Sequence, residues 1–180
     1  MRSVVGGLVL VGMLALTGCV EGDRIPTLPP TPTSTPIFAS EEEALAAAEE
    51  AYAAYNEVSG LIASEGGVEP DRIADFVTED RFVDELRGFE TLRESNLRII
   101  GTTTVEVIQL QRYEYVDTDA EVVFYACWDA SQSRVIDANG QDVTPADRRD
   151  RLVLEVVMTT VNGSLPLKLR SDEEWPESTC

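Results

Sequence analysis

The stretch AEVVFYACWDA, residues 120–130, decides the fold class of this 180-residue chain. Apolar side chains fill most of its positions, which is typical of a β-strand inside a sheet. Because side chains alternate along a strand, one face would carry Val122, Phe124, Ala126 and Trp128, and the other would carry Val123, Tyr125 and Cys127. We therefore predict a central strand here.

Further strands are predicted on both sides of this segment. Residues 102–116, TTTVEVIQLQRYEYV, alternate in the same way, but their phase shifts between Val107 and Ile108, which predicts a bulge or bend. Two more strands, RLVLEVVMTT at 151–160 and LPLKLRS at 165–171, are separated by the turn residues NGS. Pro166 favours a sheet edge or a bulge for the last strand.

Three helices precede the strands. Ser40 and Glu43 fit a capping box at the start of a long amphipathic helix. Its apolar stripe contains Leu45, Ala48, Tyr52, Tyr55 and Ile62. Two glycines then break the chain, Pro70 suits the first position of a short helix, and Thr78 can cap a third helix that extends to Leu97. Helices followed by an antiparallel meander predict an α+β fold, with a bent sheet wrapped around the long helix.

Upstream of the domain, the first 18 residues are apolar with Arg2 as their one charge, and they are too short to span a bilayer. They are typical of a signal peptide. The following tetrad resembles the lipobox of bacterial lipoproteins, in which the cysteine is lipidated and becomes the first residue: Leu16, Thr17, Gly18 and Cys19. The alternative is an ordinary signal peptide with a chance cysteine.

Residues 19–39 contain five prolines among threonines and serine, and such a segment cannot build a core. We predict a semi-rigid tether that links a lipidated Cys19 to one globular domain at 40–180. A proline-rich ligand for a partner is the alternative. Together these features predict a protein on the extracytoplasmic face of a bacterial membrane, held there by its lipid.

Composition limits the possible functions. The chain has 14 basic and 33 acidic side chains and no histidine, so its formal net charge is −19. This charge argues against nucleic acid as a partner. Without histidine there can be no Ser-His-Asp or Cys-His constellation. The sequence indicates no cofactor.

The element order is similar to that of the NTF2-like family, and the whole chain resembles small actinobacterial lipoproteins that carry such a domain after a proline-rich tether. The resemblance implies a cone-shaped domain. Members range from enzymes such as ketosteroid isomerase to non-catalytic accessory domains, so fold alone does not assign a function. We expect the domain to bind or scaffold a protein partner. The alternative is a small-molecule binder or isomerase-like enzyme that uses the apolar cone.

An isomerase-like site needs a carboxylate base and a hydroxyl donor in an apolar cavity. The candidates of these types are Tyr52, Tyr55, Tyr125 and Asp129. The simpler interpretation makes the tyrosines core residues with their hydroxyls at the rim, and makes Asp129 a carboxylate at a strand end. An open cavity lined by a carboxylate would favour the enzyme or small-molecule binder, whereas a filled cone would favour partner binding.

Other polar clusters have structural interpretations. The stretch DANGQD, residues 137–142, lacks the spaced carboxylates of a calcium loop and is predicted to be a hairpin turn at Asn139-Gly140, so no metal site is expected. Arg148, Arg149 and Arg151 alternate with aspartates and indicate a solvated, self-neutralising surface.

Export and lipidation would leave two cysteines in an oxidising compartment, since Cys19 would carry the lipid. We therefore predict a disulfide between Cys127 and Cys180, which would tie the last residue to the central strand. The alternative is two unrelated thiols.

Overall fold

The computed structural model describes residues 36–176 and 180. The predicted signal peptide, the lipobox with Cys19 and all but the end of the tether lie outside these residues. In chain order the elements are helix α1 (Glu41–Ser64), a 3-10 helix (Pro70–Asp75), helix α2 (Glu79–Glu94) and strands β1 (Arg98–Val116), β2 (Asp119–Ile136), β3 (Arg151–Val161) and β4 (Ser164–Glu174). The strands form one antiparallel sheet in the order β1-β2-β3-β4. The α+β class is therefore confirmed.

Helix α1 begins at the predicted cap. The Ser40 hydroxyl accepts a hydrogen bond from the Glu43 amide at 3.2 Å. The Glu43 carboxylate accepts from the amide of Ala39 at 2.8 Å, one residue before the position that a capping box uses. The helix ends where Gly66 and Gly67 adopt φ values of 76° and 78°, and a Cβ on Gly67 would lie 2.2 Å from a backbone oxygen of α2.

Helix α2 is shorter than predicted and ends at Glu94, because Asn96 takes a left-handed φ of 53°. Thr78 is the N-cap, as expected, but its hydroxyl makes no capping hydrogen bond and is buried without a partner. The Thr78 amide instead donates to the carbonyl of Leu169 in β4 at 2.9 Å. Tertiary pairing with the sheet thus sets where this helix begins.

Strand β1 is an irregular edge strand. Its register against β2 shifts at three places, one of them between Val107 and Gln109, where the sequence pattern predicted a bulge. Bulges bend a strand and increase its twist. Strand β4 is the other edge, as Pro166 predicted, and its register against β3 shifts beside that proline.

The core lies between the inner face of the sheet and the helices. Helix α1 contacts all four strands. Fully buried side chains of the sheet include Phe124, Val156 and Met158, and burying one such side chain contributes about 1.5–3 kcal/mol. Strand β2 is longer than expected because it continues through residues 131–134 to Ile136. The predicted turn follows, with Gly140 at φ 80°.

Candidate functional site

The sheet separates the four residues proposed for an isomerase-like site. Tyr52 lies against the inner face, where its ring meets the ring of Phe124 edge-on with centroids 5.9 Å apart. Tyr125 is the next residue of β2 and lies on the outer face, where its ring is tilted by 54° against that of Trp175 with centroids 5.0 Å apart. Strand β2 pairs with β3 without a register shift as far as Asp129, so alternation places Asp129 on the outer face too.

Asp129 has the environment of a structural carboxylate. It accepts a hydrogen bond from the Ser131 amide at 2.8 Å and pairs with the Arg151 guanidinium at 3.1 Å. The backbone and side chain of Ser131 lower the pKa of Asp129, and Arg151 lowers it further. A general base that works near neutral pH needs the opposite shift. The structure therefore does not bring Tyr52 and Tyr55 together with Tyr125 and Asp129.

Tyr52 and Tyr55 bind other partners, at the junction of α1, α2 and β4. The Tyr52 hydroxyl donates to the Asp172 carboxylate at 3.1 Å, and the Tyr55 hydroxyl donates to Glu85 at 2.7 Å. Arg81 joins the two carboxylates, at 2.7 Å from Asp172 and 2.8 Å from Glu85. We call these five residues the tyrosine–arginine network.

Burial dominates the electrostatics of this network. It raises the pKa of Asp172 even though Arg81 and Tyr52 favour the charged form. Burial also raises the pKa of Tyr52 and Tyr55, with help from the neighbouring carboxylates. Both hydroxyls therefore stay protonated at neutral pH and donate to the carboxylates. The network links three elements, and its polar groups satisfy one another.

Local sequence patterns indicate only part of this network. Arg81 and Glu85 have the i, i+4 spacing of a helix ion pair, which is a signal that the sequence contains. Asp172 stands in an acidic run near the end of the last strand, where a solvated carboxylate is the usual expectation. No feature of the neighbouring sequence distinguishes Asp172 from Glu173, whose side chain is exposed. Its partner is 120 residues away.

A groove of about 790 Å³ lies between α1 and the bent ends of β1 and β2. Its size is within the range of ligand-binding cavities. Apolar groups form much of its wall: Ala53, Leu61, Ala63, Ile99, Val105, Trp128 and Val135. Polar side chains are interspersed among them: Asn56, Glu57, Ser59, Ser64, Thr102, Thr103, Ser133 and Arg148.

The charged groups of this groove are poorly placed for chemistry. Glu57, the carboxylate of the lining, is exposed to solvent. The Arg148 guanidinium donates to the carbonyls of Ala130 and Ser133 at 3.0 and 3.2 Å, and it pairs with Asp150 at 2.7 Å. Since the N–H donors of Arg148 are already used, the groove offers a ligand apolar contacts and hydrogen bonds from uncharged groups.

The remaining predicted clusters are structural. Arg149 and Arg151, like Arg148, pair with carboxylates, and their partners are Glu174 and Asp129. In the turn after β2, the Asp137 carboxylate accepts from two backbone amides, at 2.9 and 2.8 Å. Among residues 36–176 and 180, no group of three or more potential ligand residues could hold a metal ion.

Cys127 and Cys180 lie at disulfide distance, with their Cα atoms 5.7 Å apart, and this is the pairing that the sequence predicts. Cys127 is on the outer face of the sheet and is 6% exposed. Trp175 covers the same region, and its amide donates to the Val153 carbonyl at 2.8 Å. The C-terminal residues thus cover this part of the outer face.

No protein-family model matches the sequence, and no curated protein matches it either. In the part of the chain that the structure describes, no helix has both the length and the apolar composition needed to cross a bilayer.

Proposed function

We propose that this chain is a lipid-anchored extracytoplasmic protein whose NTF2-like domain binds a partner without catalysis of its own. The observation that carries the proposal is the proximity of Cys127 and Cys180. Disulfides persist in oxidising compartments and are rare in the cytosol. The pairing also leaves Cys19, in its lipobox-like context, as the third cysteine of the chain.

The architecture of residues 40–180 supports the NTF2-like assignment. Three helical segments come first, four antiparallel strands follow, and α1 contacts every strand. Three register shifts in β1 favour the strong curvature that a cone requires. A family assignment of this kind leaves the function open, so the function must be argued from the sites.

The candidate chemical groups support binding over catalysis. Asp129 has a lowered pKa and lies across the sheet from Tyr52 and Tyr55. Asp172 has a raised pKa, but its carboxylate is already bound by Tyr52 and Arg81. A base that abstracts a substrate proton must reach that proton, and here protein groups occupy the carboxylate.

The anchor can be tested by the intact mass of the protein from a membrane fraction. We expect an N-terminus at Cys19 that carries diacylglycerol. Cys19→Ser should release the domain from the membrane or stall its processing. Cys127→Ser is the matched control, because it removes a cysteine that the proposal assigns to the disulfide, and it should stay membrane-bound. A mature protein that starts elsewhere and carries no lipid would contradict the proposal.

A second candidate function is the binding of a small apolar molecule, and the groove beside Trp128 favours it. Gly60 lines this groove, and a Cβ on Gly60 would meet no atom within 4 Å, so Gly60→Phe should fill the groove without a clash. The control is Val83→Phe in α2, because Val83 is 54% exposed and is not part of the groove lining.

The probe for this test is Nile red, an uncharged apolar dye whose emission increases in apolar surroundings. We expect the wild-type protein and Val83→Phe to bind the dye and Gly60→Phe to lose that binding. Equal binding by both variants, or no binding by the wild type, would contradict a ligand site in the groove.

A further inference from the structure

We propose that the tips of the two β-hairpins contact the lipid bilayer to which the chain is anchored. We call the three exposed apolar side chains at these tips, Val116, Val161 and Leu165, the tip surface. The inference rests on the proposed lipid anchor and adds an orientation: one end of the domain faces the membrane.

The two hairpin tips form one unit. The Asp119 carboxylate, at the start of β2, accepts from the Gly163 amide at 2.7 Å and from the Thr160 hydroxyl at 3.0 Å. Gly163 belongs to the turn between β3 and β4, where Val161 pairs with Ser164. One carboxylate therefore holds the β1–β2 tip and the β3–β4 tip side by side.

This unit exposes apolar side chains. Val116 is 44% exposed, Val161 is 40% exposed and Leu165 is 55% exposed. Burial from water stabilises in proportion to the apolar area that is buried, so three side chains that are only half-exposed gain little from the bilayer. Such a surface binds weakly alone, and it becomes effective when a tether keeps it near its partner.

The tether joins the domain at this same end. The Ile37 amide donates to the hydroxyl of Tyr115, the residue before Val116. Phe38 is 4% exposed, and its ring meets that of Tyr113 edge-on at 5.9 Å. These contacts fix the attachment point of the tether beside the end of β1.

Chain length favours lipid as the partner of this end. About 17 residues separate Cys19 from Pro36, so a lipidated Cys19 keeps that attachment point within about 60 Å of the bilayer. Strand β2 extends away from the tips for 18 residues, about 60 Å along the strand. The tips therefore lie nearer the point where the tether attaches than the opposite end does, which favours them for contact with the membrane. Because the chain has a net charge of −19, headgroups without net charge should be preferred.

The test uses the full lipidated chain in vesicles of phosphatidylcholine with brominated acyl chains, which quench tryptophan that reaches the acyl region. Val161→Trp places a reporter on the tip surface. Val143→Trp is the control, because Val143 is 44% exposed, close to the 40% of Val161, but follows the turn at the other end of β2. The unsubstituted protein gives the background of Trp128 and Trp175.

We expect the added emission of Val161→Trp to be quenched and that of Val143→Trp to be unchanged. Adding Leu165→Asp to the Val161→Trp chain should restore the emission.

Vesicle flotation separates the proposal of a lipid anchor from the proposal of a tip contact. A chain that fails to float would contradict the lipid anchor, and this inference with it. A chain that floats but shows equal emission at both positions would contradict the tip contact alone.

Discussion

The two faces of the sheet are buried in different ways. The inner face is covered by helices, and its Phe124 and Val156 are fully buried among other apolar side chains. On the outer face, the nearly buried Glu121 carboxylate is held by the guanidinium groups of Arg112 and Arg170, at 2.6 and 2.8 Å. Helices bury the inner face, whereas on the outer face ion pairs and a crosslink add to the burial of apolar side chains such as Val123.

A substitution on the inner face should cause the largest single loss in the free energy of unfolding. Phe124→Ala removes a fully buried ring that packs on Tyr52, and it should lower the free energy of unfolding by about 3–5 kcal/mol. Ile108→Ala, at a bulge of β1 where the side chain is 52% exposed, should change it by about 0.5 kcal/mol or less. Urea denaturation measures both. Similar losses in the two variants would contradict the assigned core.

Removal of the crosslink on the outer face should cause the second largest loss in the free energy of unfolding. It closes a loop with a sequence separation of 53 between Cys127 and Cys180. The chain-entropy relation gives about 4 kcal/mol as an upper figure for such a loop. The double variant Cys127→Ser/Cys180→Ser should therefore unfold at lower urea, and reductant should shift the wild type to the same midpoint. Two free thiols in a non-reducing peptide map would refute the crosslink.

The tyrosine–arginine network should show a smaller effect, because its carboxylates are nearly buried but not fully. Arg81 has a side chain 22% exposed and pairs with Asp172 and Glu85. Arg81→Ala leaves both carboxylates without their cation and should cost about 1–3 kcal/mol. In the same helix, Arg87 is 68% exposed and pairs with exposed Asp84, so Arg87→Ala should cost about 0–1 kcal/mol. Equal values from thermal denaturation would argue against the network as a stabilising link.

The smallest expected effect is a difference between the pKa values of two aspartates. Burial raises the pKa of Asp172 at the inner face, while hydrogen bonds from Ser131 lower the pKa of Asp129 at the outer face. Carboxyl nuclear magnetic resonance titration should place these pKa values on opposite sides of the usual aspartate value, about 3.9. A raised pKa at Asp129 would revive it as a candidate base.

The two shifts have opposite consequences for stability. At pH values between the unfolded pKa of Asp172 and its higher folded pKa, the folded state keeps the Asp172 proton and the unfolded state loses it. The contribution of Asp172 to the free energy of unfolding therefore falls as pH rises through this window. Asp129 contributes stability above its unfolded pKa, and that contribution is lost as pH falls through its lower folded value. Asp172→Asn should remove the first dependence and leave the second.

Local sequence patterns predict the types of the elements and their order, although the end of α2 and the length of β2 differ from the prediction. Ser40 marks the start of α1, and the phase shift at Val107 marks a bulge in β1, because capping and strand alternation depend on neighbouring residues. The sequence also predicted the pairing of Cys127 with Cys180, since few cysteines leave few choices.

Which polar groups meet depends on how the helices and strands pack in the folded domain. Tyr52 binds Asp172, 120 residues away, and is separated by the sheet from Tyr125. A shift of one residue along a strand moves a side chain to the opposite face of the sheet. The composition of a segment does not predict which distant helix or strand packs on that face. The partner of a buried hydroxyl is therefore set by how helices and strands pack, a property of the whole domain that no local pattern contains.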